Sequence, residues 1–285
     1  MPYAVDPSLN RRKLRLELRR ARDKMGMTQR QVADDLEWSL SKLIRIETAS
    51  VSMSVTDLRA MLQLYGIDDP GLVAELEEAA RGSKGTSWWT EFNDVLSAQY
   101  TQYLGYESAA SSIHSYHPII IPGHLQTQDY ALALLEPRVD EARARRVVDL
   151  RMARQERIFE TAPVPETSFI LDEAALRRQI GSPAVMRNQL EQLVVMGQRP
   201  DVTIQVLPFS AGAHYSTLGS FVVLGFKDDT DLLYLEHATG SLTSGNDLDL
   251  LARYQECFET ISSVALRGEA AVELIERVKE EFSTR

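Results

Sequence analysis

Residues 28–47 read Thr28-Gln29-Arg30-Gln31-Val32-Ala33-Asp34-Asp35-Leu36-Glu37-Trp38-Ser39-Leu40-Ser41-Lys42-Leu43-Ile44-Arg45-Ile46-Glu47. Thr28 is an N-cap candidate, and Val32, Ala33 and Leu36 supply one apolar face of a short helix. Ser39 caps a following helix, with Leu43 and Ile46 turned inward and Ile44 a candidate to join them. Helices this short are marginal alone and depend on packing against each other. Small Ala33 permits a close, steep crossing, and Val32, Leu36, Leu43 and Ile46 fill the wedge between the two.

Such a pair is a helix-turn-helix, in which the first helix crosses the DNA backbone and the second offers its N-terminal residues to base edges. On this reading Leu40, Ser41, Lys42 and Arg45 occupy the outward positions. The amides at the start of the second helix, with Ser39 as cap, suit a phosphate. The competing interpretation of these four residues is an ordinary solvated helix face.

The same texture extends on both sides. Leu14, Leu18, Ala21 and Met25 make one face of a helix that ends at Gly26. Leu58, Met61, Leu62 and Tyr65 make another, stopped by Gly66, and Leu72, Leu76, Ala79 and Ala80 a fifth. Residues 1–81 are therefore expected to form an all-α domain of five helices. Residues 82–87, Gly-Ser-Lys-Gly-Thr-Ser, read as a flexible joint.

Beyond it, helices are expected at 88–102, 127–135, 139–160, 172–179 and 183–197, with two more at the C-terminal end. Strands are expected at 109–116, 168–171, 202–207, 220–226 and 232–235. Residues 88–285 thus read as a larger α+β domain with a small sheet.

The composition agrees with two soluble domains. The chain has 285 residues, 44% hydrophobic and 25% charged, enough for more than one core. No run of 18 apolar residues offers a membrane span. The first residues lack the apolar segment of a secretory signal, and Cys257 has no second cysteine for a disulfide or a Cys-based metal site. The expected location is cytoplasmic. The net charge of −10 is unevenly spread: residues 1–48 carry 11 Lys+Arg against 7 Asp+Glu, whereas residues 87–285 carry 17 against 28. One end of the chain is suited to a polyanion.

The pattern TQxxVAxxL…SxSKLxRIE, as it stands at residues 28–47, resembles the XRE/Cro-type, λ-repressor-like helix-turn-helix, and the resemblance runs through residues 9–80. It implies double-stranded DNA as partner and a phosphate contact for Gln29. Three positions depart from the family pattern. Glu37 stands where a turn glycine is usual, a position that tends to need a left-handed backbone. Ile44 replaces a small polar residue, and Ala49 a glycine. Farther on, Pro122-Gly123-His124-Leu125-Gln126-Thr127-Gln128-Asp129-Tyr130-Ala131 is similar to the PGLLQTxxYA signature of actinobacterial WhiJ-like regulators, with Trp88-Trp89 before it and VTIQVLPFSAGAH and GSFVVLGF after it. That resemblance implies an antitoxin-like transcription regulator paired with a small partner protein encoded nearby.

Other features are weaker. His124, Gln126, Asp129 and Tyr130 are candidates to line a ligand or partner site, against the alternative of a turn leading into a capped helix. Arg11, Arg12, Lys13 and Arg15 either add phosphate contacts or form a solvated lead-in. Residues 138–160 carry seven arginines and five acids, which reads as a self-paired solvated helix. Histidines 114, 117, 124, 214 and 237 form no zinc motif, and no phosphate-binding loop or nucleophile elbow occurs. No metal, cofactor or enzymatic activity is expected. A homodimer is expected, because a single Cro-type module reads only a few base pairs, too few to pick one site from a genome.

Overall fold

The computed structural model describes residues 7–47, 51–213, 219–227, 230–235, 241–243 and 247–283. Ala49, His214 and His237 lie outside the described residues. The chain divides into two compact units, Met1–Glu91 and Phe92–Arg285. No helix among the described residues is long and apolar enough to cross a membrane.

The first unit is all-α: α1 (Pro7–Lys24), α2 (Gln29–Asp35), α3 (Leu40–Glu47), α4 (Val55–Leu64) and α5 (Pro70–Gly82). Leu14, Leu18, Val32, Ala33, Leu43, Ile46, Leu58, Met61, Leu62, Leu76 and Ala80 form one core, built from the stripes expected from periodicity. Thr28 and Gln31 form a reciprocal capping box at the start of α2. Ser54 and Asp69 cap α4 and α5. Ile44, read above as a candidate for the core, faces away from it and is 38% exposed.

Three helices of this unit end in the same way. The amide two residues past the last turn reaches back five residues: Met27 to the Arg22 carbonyl, Trp38 to Ala33 and Ile67 to Leu62. Such a closure puts the intervening residue in the left-handed region. At two of the three ends that residue is glycine, Gly26 (φ +65°) and Gly66 (φ +67°); at the third it is Glu37, with φ +55°. The tight turn between α2 and α3 is thus made by a side chain in a glycine position, as the departure from the family pattern implied.

The joint expected at 82–87 differs in the structure. Gly82 closes α5, Ser83 and Ser87 are buried, and Arg11 of α1 donates to the carbonyls of Ser83 and Gly85, both at 3.1 Å. The composition is that of a linker, but α1 holds it down. The units divide later, between Glu91 and Phe92.

The second unit is α+β. After a 3-10 turn at Trp88–Phe92 come α6 (Ala98–Glu107), β1 (Ser112–His117), a 3-10 turn at Gly123–Leu125, α7 (Gln128–Leu135) and α8 (Glu141–Glu160). They are followed by β2 (Glu166–Asp172), α9 (Glu173–Arg177), α10 (Pro183–Met196) and β3 (Val202–Leu207). The remainder is β4 (Phe221–Gly225), β5 (Leu232–Leu235), β6 (Ser241–Thr243), α11 (Leu248–Val264) and α12 (Gly268–Glu281). The helix expected over 88–102 is a 3-10 turn and a separate α6, and that expected over 172–179 shrinks to the five residues of α9.

Among the described residues the sheet has six strands, in the order β3-β2-β1-β4-β5-β6. Its β1, β2 and β3 are parallel, linked by helical crossovers, while β4, β5 and β6 are antiparallel to their neighbours. Strand alternation divides it into two faces. Ile113, Phe169, Leu171, Ile204, Val206, Val222 and Leu224 pack with side chains of α6, α7, α8, α10 and α12. Tyr116, Ile170, Phe221, Val223 and Leu233 pack under Leu251, Tyr254, Cys257, Phe258 and Ile261 of α11.

All three tryptophans, 38, 88 and 89, precede the division after Glu91 and Trp38 packs against the first unit's core, so tryptophan fluorescence reports chiefly on that unit. A left-handed backbone costs a non-glycine residue about 1–2 kcal/mol, and glycine returns part of that as unfolded-state entropy. Glu37→Gly should therefore raise the unit's unfolding free energy by about 1 kcal/mol in a urea titration followed by tryptophan emission. Unchanged or reduced stability would show that the turn is not strained.

Candidate functional site

α3 closes on a buried carboxylate. Glu47, its last residue, has a side chain only 3% exposed. Arg22 of α1 donates from Nε to Glu47 Oε1 at 2.7 Å, and Gln29, the first residue of α2, donates from Nε2 to Oε2 at 2.9 Å. Arg22 Nη1 also donates to the Met27 carbonyl at 2.9 Å. One carboxylate therefore ties together the end of α1, the start of α2 and the end of α3. Burial works against the Arg22 charge, but Glu47 outweighs it and leaves the guanidinium pKa raised. Burial, with Glu47 adding to it, pushes the Tyr65 phenol up as well.

A second tie holds the other side of α3. Lys42 Nζ donates to Asp57 Oδ1 at 2.6 Å and lies 3.7 Å from the centre of the Trp38 ring. Asp57 Oδ2 accepts from the Ser54 hydroxyl at 2.8 Å. Burial alone would raise the Asp57 carboxyl; the Lys42 ammonium and the Ser54 hydroxyl overcome that and hold it below the usual range.

These contacts sort the residues expected to meet DNA. Ser39 caps α3, its hydroxyl accepting from the Lys42 amide at 3.2 Å. Leu40 packs partly against the core. Lys42, placed outward by sequence, fastens α3 to α4 and to Trp38, and Gln29 is drawn onto Glu47. Ser41, Ile44 and Arg45 are exposed. Of the basic lead-in, Arg11 holds the 83–85 backbone, Arg12 is buried, and Lys13 pairs with Glu75. The outward face of α3 is thus narrower than the sequence implied. Glu47 itself carried a signal: it falls one turn after Leu43 on the inner stripe, where a charge needs a partner.

The second unit holds a buried ion pair of its own. Arg154 of α8 donates from Nε to Glu107 Oε2 at 2.6 Å and from Nη2 to Oε1; Nη1 donates to the Tyr100 hydroxyl at 2.7 Å. The Tyr103 hydroxyl donates to Glu107 Oε1 at 2.6 Å, and His124 Nε2 lies 2.8 Å from the same oxygen. Burial would raise the Glu107 carboxyl, but Arg154 first and His124 second keep it far below the usual carboxylate range. Arg154 is thus an exception to the solvated helix expected at 138–160, where Arg145 and Glu141 do form an exposed pair.

The ligand or partner set expected at 122–131 is mostly built inward. His124, Gln126 and Tyr130 are buried, and only Asp129, in the first turn of α7, is exposed. Gln126 Nε2 donates to the Ile121 carbonyl at 2.7 Å while its Oε1 accepts from Arg151 at 2.6 Å. The Tyr130 hydroxyl accepts from the Ile121 amide at 3.3 Å, and burial pushes the phenol up to about 12. Gln189 takes the Thr127 amide and gives to the Leu125 carbonyl, each at 2.7 Å. Gln155 donates to the carbonyls of Gly123 and Gln126. A buried irregular loop must pair its backbone groups somewhere, and here side chains do it. The polar letters of this motif are the loop's own fastenings.

His114 and His117 are three residues apart on β1 and so point to opposite faces; His114 stacks on Phe258 with ring centres 5.0 Å apart. Among the described residues, no group of three or more His, Cys, Asp or Glu is placed to hold a metal ion.

Two outcomes follow from the ion pairs. Removing one partner of a buried pair costs about 3–5 kcal/mol, so Glu47→Ala should destabilise the first unit by about 3 kcal/mol in the tryptophan-detected titration. A loss below about 1 kcal/mol would mean that Glu47 does not organise it. Because the Glu107 carboxyl is depressed, its stabilisation is complete above the unfolded value of ~4.3 and is lost as pH falls below it. Glu107→Gln should lower the second unit's melting temperature at neutral pH and flatten its decline between about pH 5 and 3. Circular dichroism, compared with tryptophan emission to separate the units, measures both. A parallel, unflattened acid limb would contradict the assignment.

The comparisons with known proteins divide the chain in the same way. A family model described as a helix-turn-helix domain matches residues 13–76, covering the first unit from within α1 into α5. No curated protein and no solved structure matches the chain. A second model, described as a domain of unknown function (DUF5753), matches residues 100–277, well over half of the 285. The chain belongs to the DUF5753 family and carries a helix-turn-helix domain ahead of that region.

Proposed function

We propose that this protein is a sequence-specific transcription regulator in which α3 enters the major groove of operator DNA and the DUF5753 region governs that binding in response to a partner or ligand. The observation that carries the reading is the mounting of α3. Buried Glu47 and the Lys42–Asp57 pair hold the helix from two sides and leave Ser41, Ile44 and Arg45 facing outward. Positioning of this kind is what base readout demands, since a bidentate contact tolerates little misplacement.

Two modules are needed for useful specificity, which favours a homodimer on a pseudo-palindromic site with recognition helices about 34–36 Å apart or a multiple of it. The likeness of residues 122–131 to WhiJ-like, antitoxin-like regulators supports a small protein as the partner of the second unit. In the alternative, antitoxin-type reading, neutralising that partner is the main act and DNA binding is autoregulation; stoichiometric co-purification of a small protein whose toxicity this chain suppresses favours it. We read the protein as a binding protein rather than an enzyme.

The test is selection of bound duplexes from a random pool by the full chain, followed by affinity measurements at two salt concentrations. Arg45 lies one turn beyond Ser41, and its planar fork suits the O6 and N7 of guanine. Arg45→Ala should cost about 1–3 kcal/mol on the selected site and blur selection at one position. Gln29→Ala should weaken binding to all duplexes alike, by loosening the mounting or removing a phosphate contact. Failure to enrich any sequence overturns the reading; an unchanged ratio of selected to scrambled affinity in Arg45→Ala overturns the role given to Arg45.

A further inference from the structure

We infer that Ile44 reads the C5-methyl group of a thymine, making it a specificity-determining residue of the α3 surface. This rests on the reading of α3 as the helix that enters the major groove.

Single exposed apolar side chains are common, and exposure alone would say nothing. What distinguishes Ile44 is its position. The buried residues of α3 are Leu43, Ile46 and Glu47, which define the face turned toward the rest of the unit. Ile44 is 38% exposed on the other face, three residues after Ser41 and next to Arg45. On a helix, positions 41, 44 and 45 form one continuous patch.

The patch therefore has the Ser41 hydroxyl at its centre, the Arg45 guanidinium about 40° to one side and the branched aliphatic group of Ile44 about 60° to the other. Lys42, the residue that would add a second charge near it, is drawn off to Asp57 and Trp38. In the major groove the thymine methyl is the one apolar group a base pair displays; adenine, guanine and cytosine edges show donors and acceptors. An isoleucine carried into that groove beside two polar readers either meets a thymine methyl or desolvates polar base edges without pairing them, which is costly. The arrangement thus selects a T·A pair beside the pair contacted by Arg45.

Thymidine-to-deoxyuridine substitution deletes this methyl and nothing else. In the duplex selected by the full chain, each thymine is replaced in turn and affinity is measured for the wild type, Ile44→Val and Ile44→Ala. Burying one methyl corresponds to about a three- to fivefold change in affinity. At one thymine per half-site, deoxyuridine should weaken wild-type binding by about that factor. The loss should persist in Ile44→Val, which keeps a branched contact, and vanish in Ile44→Ala. Reselection with Ile44→Ala should also lose the preference for thymine at that position, with the guanine preference attributed to Arg45 kept. If the wild type selects a defined site but no deoxyuridine effect depends on residue 44, this inference is wrong and the reading of α3 stands. If no site is selected, the reading of α3 fails and takes this inference with it. Because Ile44 lies outside the core, the variants should melt with the wild type by tryptophan emission; an Ile44→Ala variant that unfolds instead would place Ile44 in the packing and overturn the inference.

Discussion

The buried carboxylate of Glu47 is the constraint on which the first unit's geometry depends. A buried carboxylate is tolerated only when it is paired and hydrogen-bonded. Here Arg22 and Gln29 supply the partners, one on each oxygen, and they come from two different helices. The consequence is geometric more than energetic: α1, α2 and α3 share one origin, so the outward face of α3 has little freedom to tilt. The hydrophobic wedge of Val32, Ala33, Leu43 and Ile46 supplies most of the burial, but non-directional contacts alone would permit neighbouring arrangements. The hydrogen-bonded pair selects among them.

The second unit uses the same device for a different purpose. Glu107 and Arg154 join α6 to α8, with Tyr100, Tyr103 and His124 gathered around them. Beside this knot, the 121–127 loop is fastened by Gln126, Gln155 and Gln189. A loop buried against a helix layer would otherwise strand several backbone groups at about 1–3 kcal/mol each. Residues that look ligand-like by composition are thus consumed by the needs of the fold, and any partner of this unit must meet surfaces other than this loop's interior.

Much of this was legible in the sequence where one periodic signal dominates. The stripes Leu14/Leu18, Leu43/Ile46 and Leu58/Met61/Leu62 mark the first unit's core, and the alternation of Val202–Leu207 marks β3 within its bounds. The left-handed turn at Glu37 followed from the family pattern, because a residue in a glycine position keeps the glycine's backbone. What escaped was non-local. Gly82 to Ser87 has the composition of a linker, yet Arg11, over seventy residues earlier in the chain, holds it. Lys42 looked outward on its helix, but Asp57 and Trp38 are not its helical neighbours. The polar residues at 122–131 looked like a site because local sequence does not disclose which buried backbone groups lie within their reach.

The charge count of the first unit takes on a different meaning in this light. Residues 1–48 carry a basic surplus, but over the whole unit, residues 1–91, 14 Lys+Arg meet 14 Asp+Glu, and Arg11, Lys13, Arg22 and Lys42 are each engaged within it. Cations paired with carboxylates add little field at long range, since each pair is neutral overall. They do not each supply a phosphate contact, because a cation hydrogen-bonded to a carboxylate must give up that bond to release a counterion from DNA. These cations therefore serve to rigidify the unit. Under the proposed reading of α3, discrimination falls to the few side chains that the buried pairs leave facing outward, and a mixed face of hydroxyl, branched aliphatic and guanidinium would distinguish bases in a way that a uniformly basic face cannot.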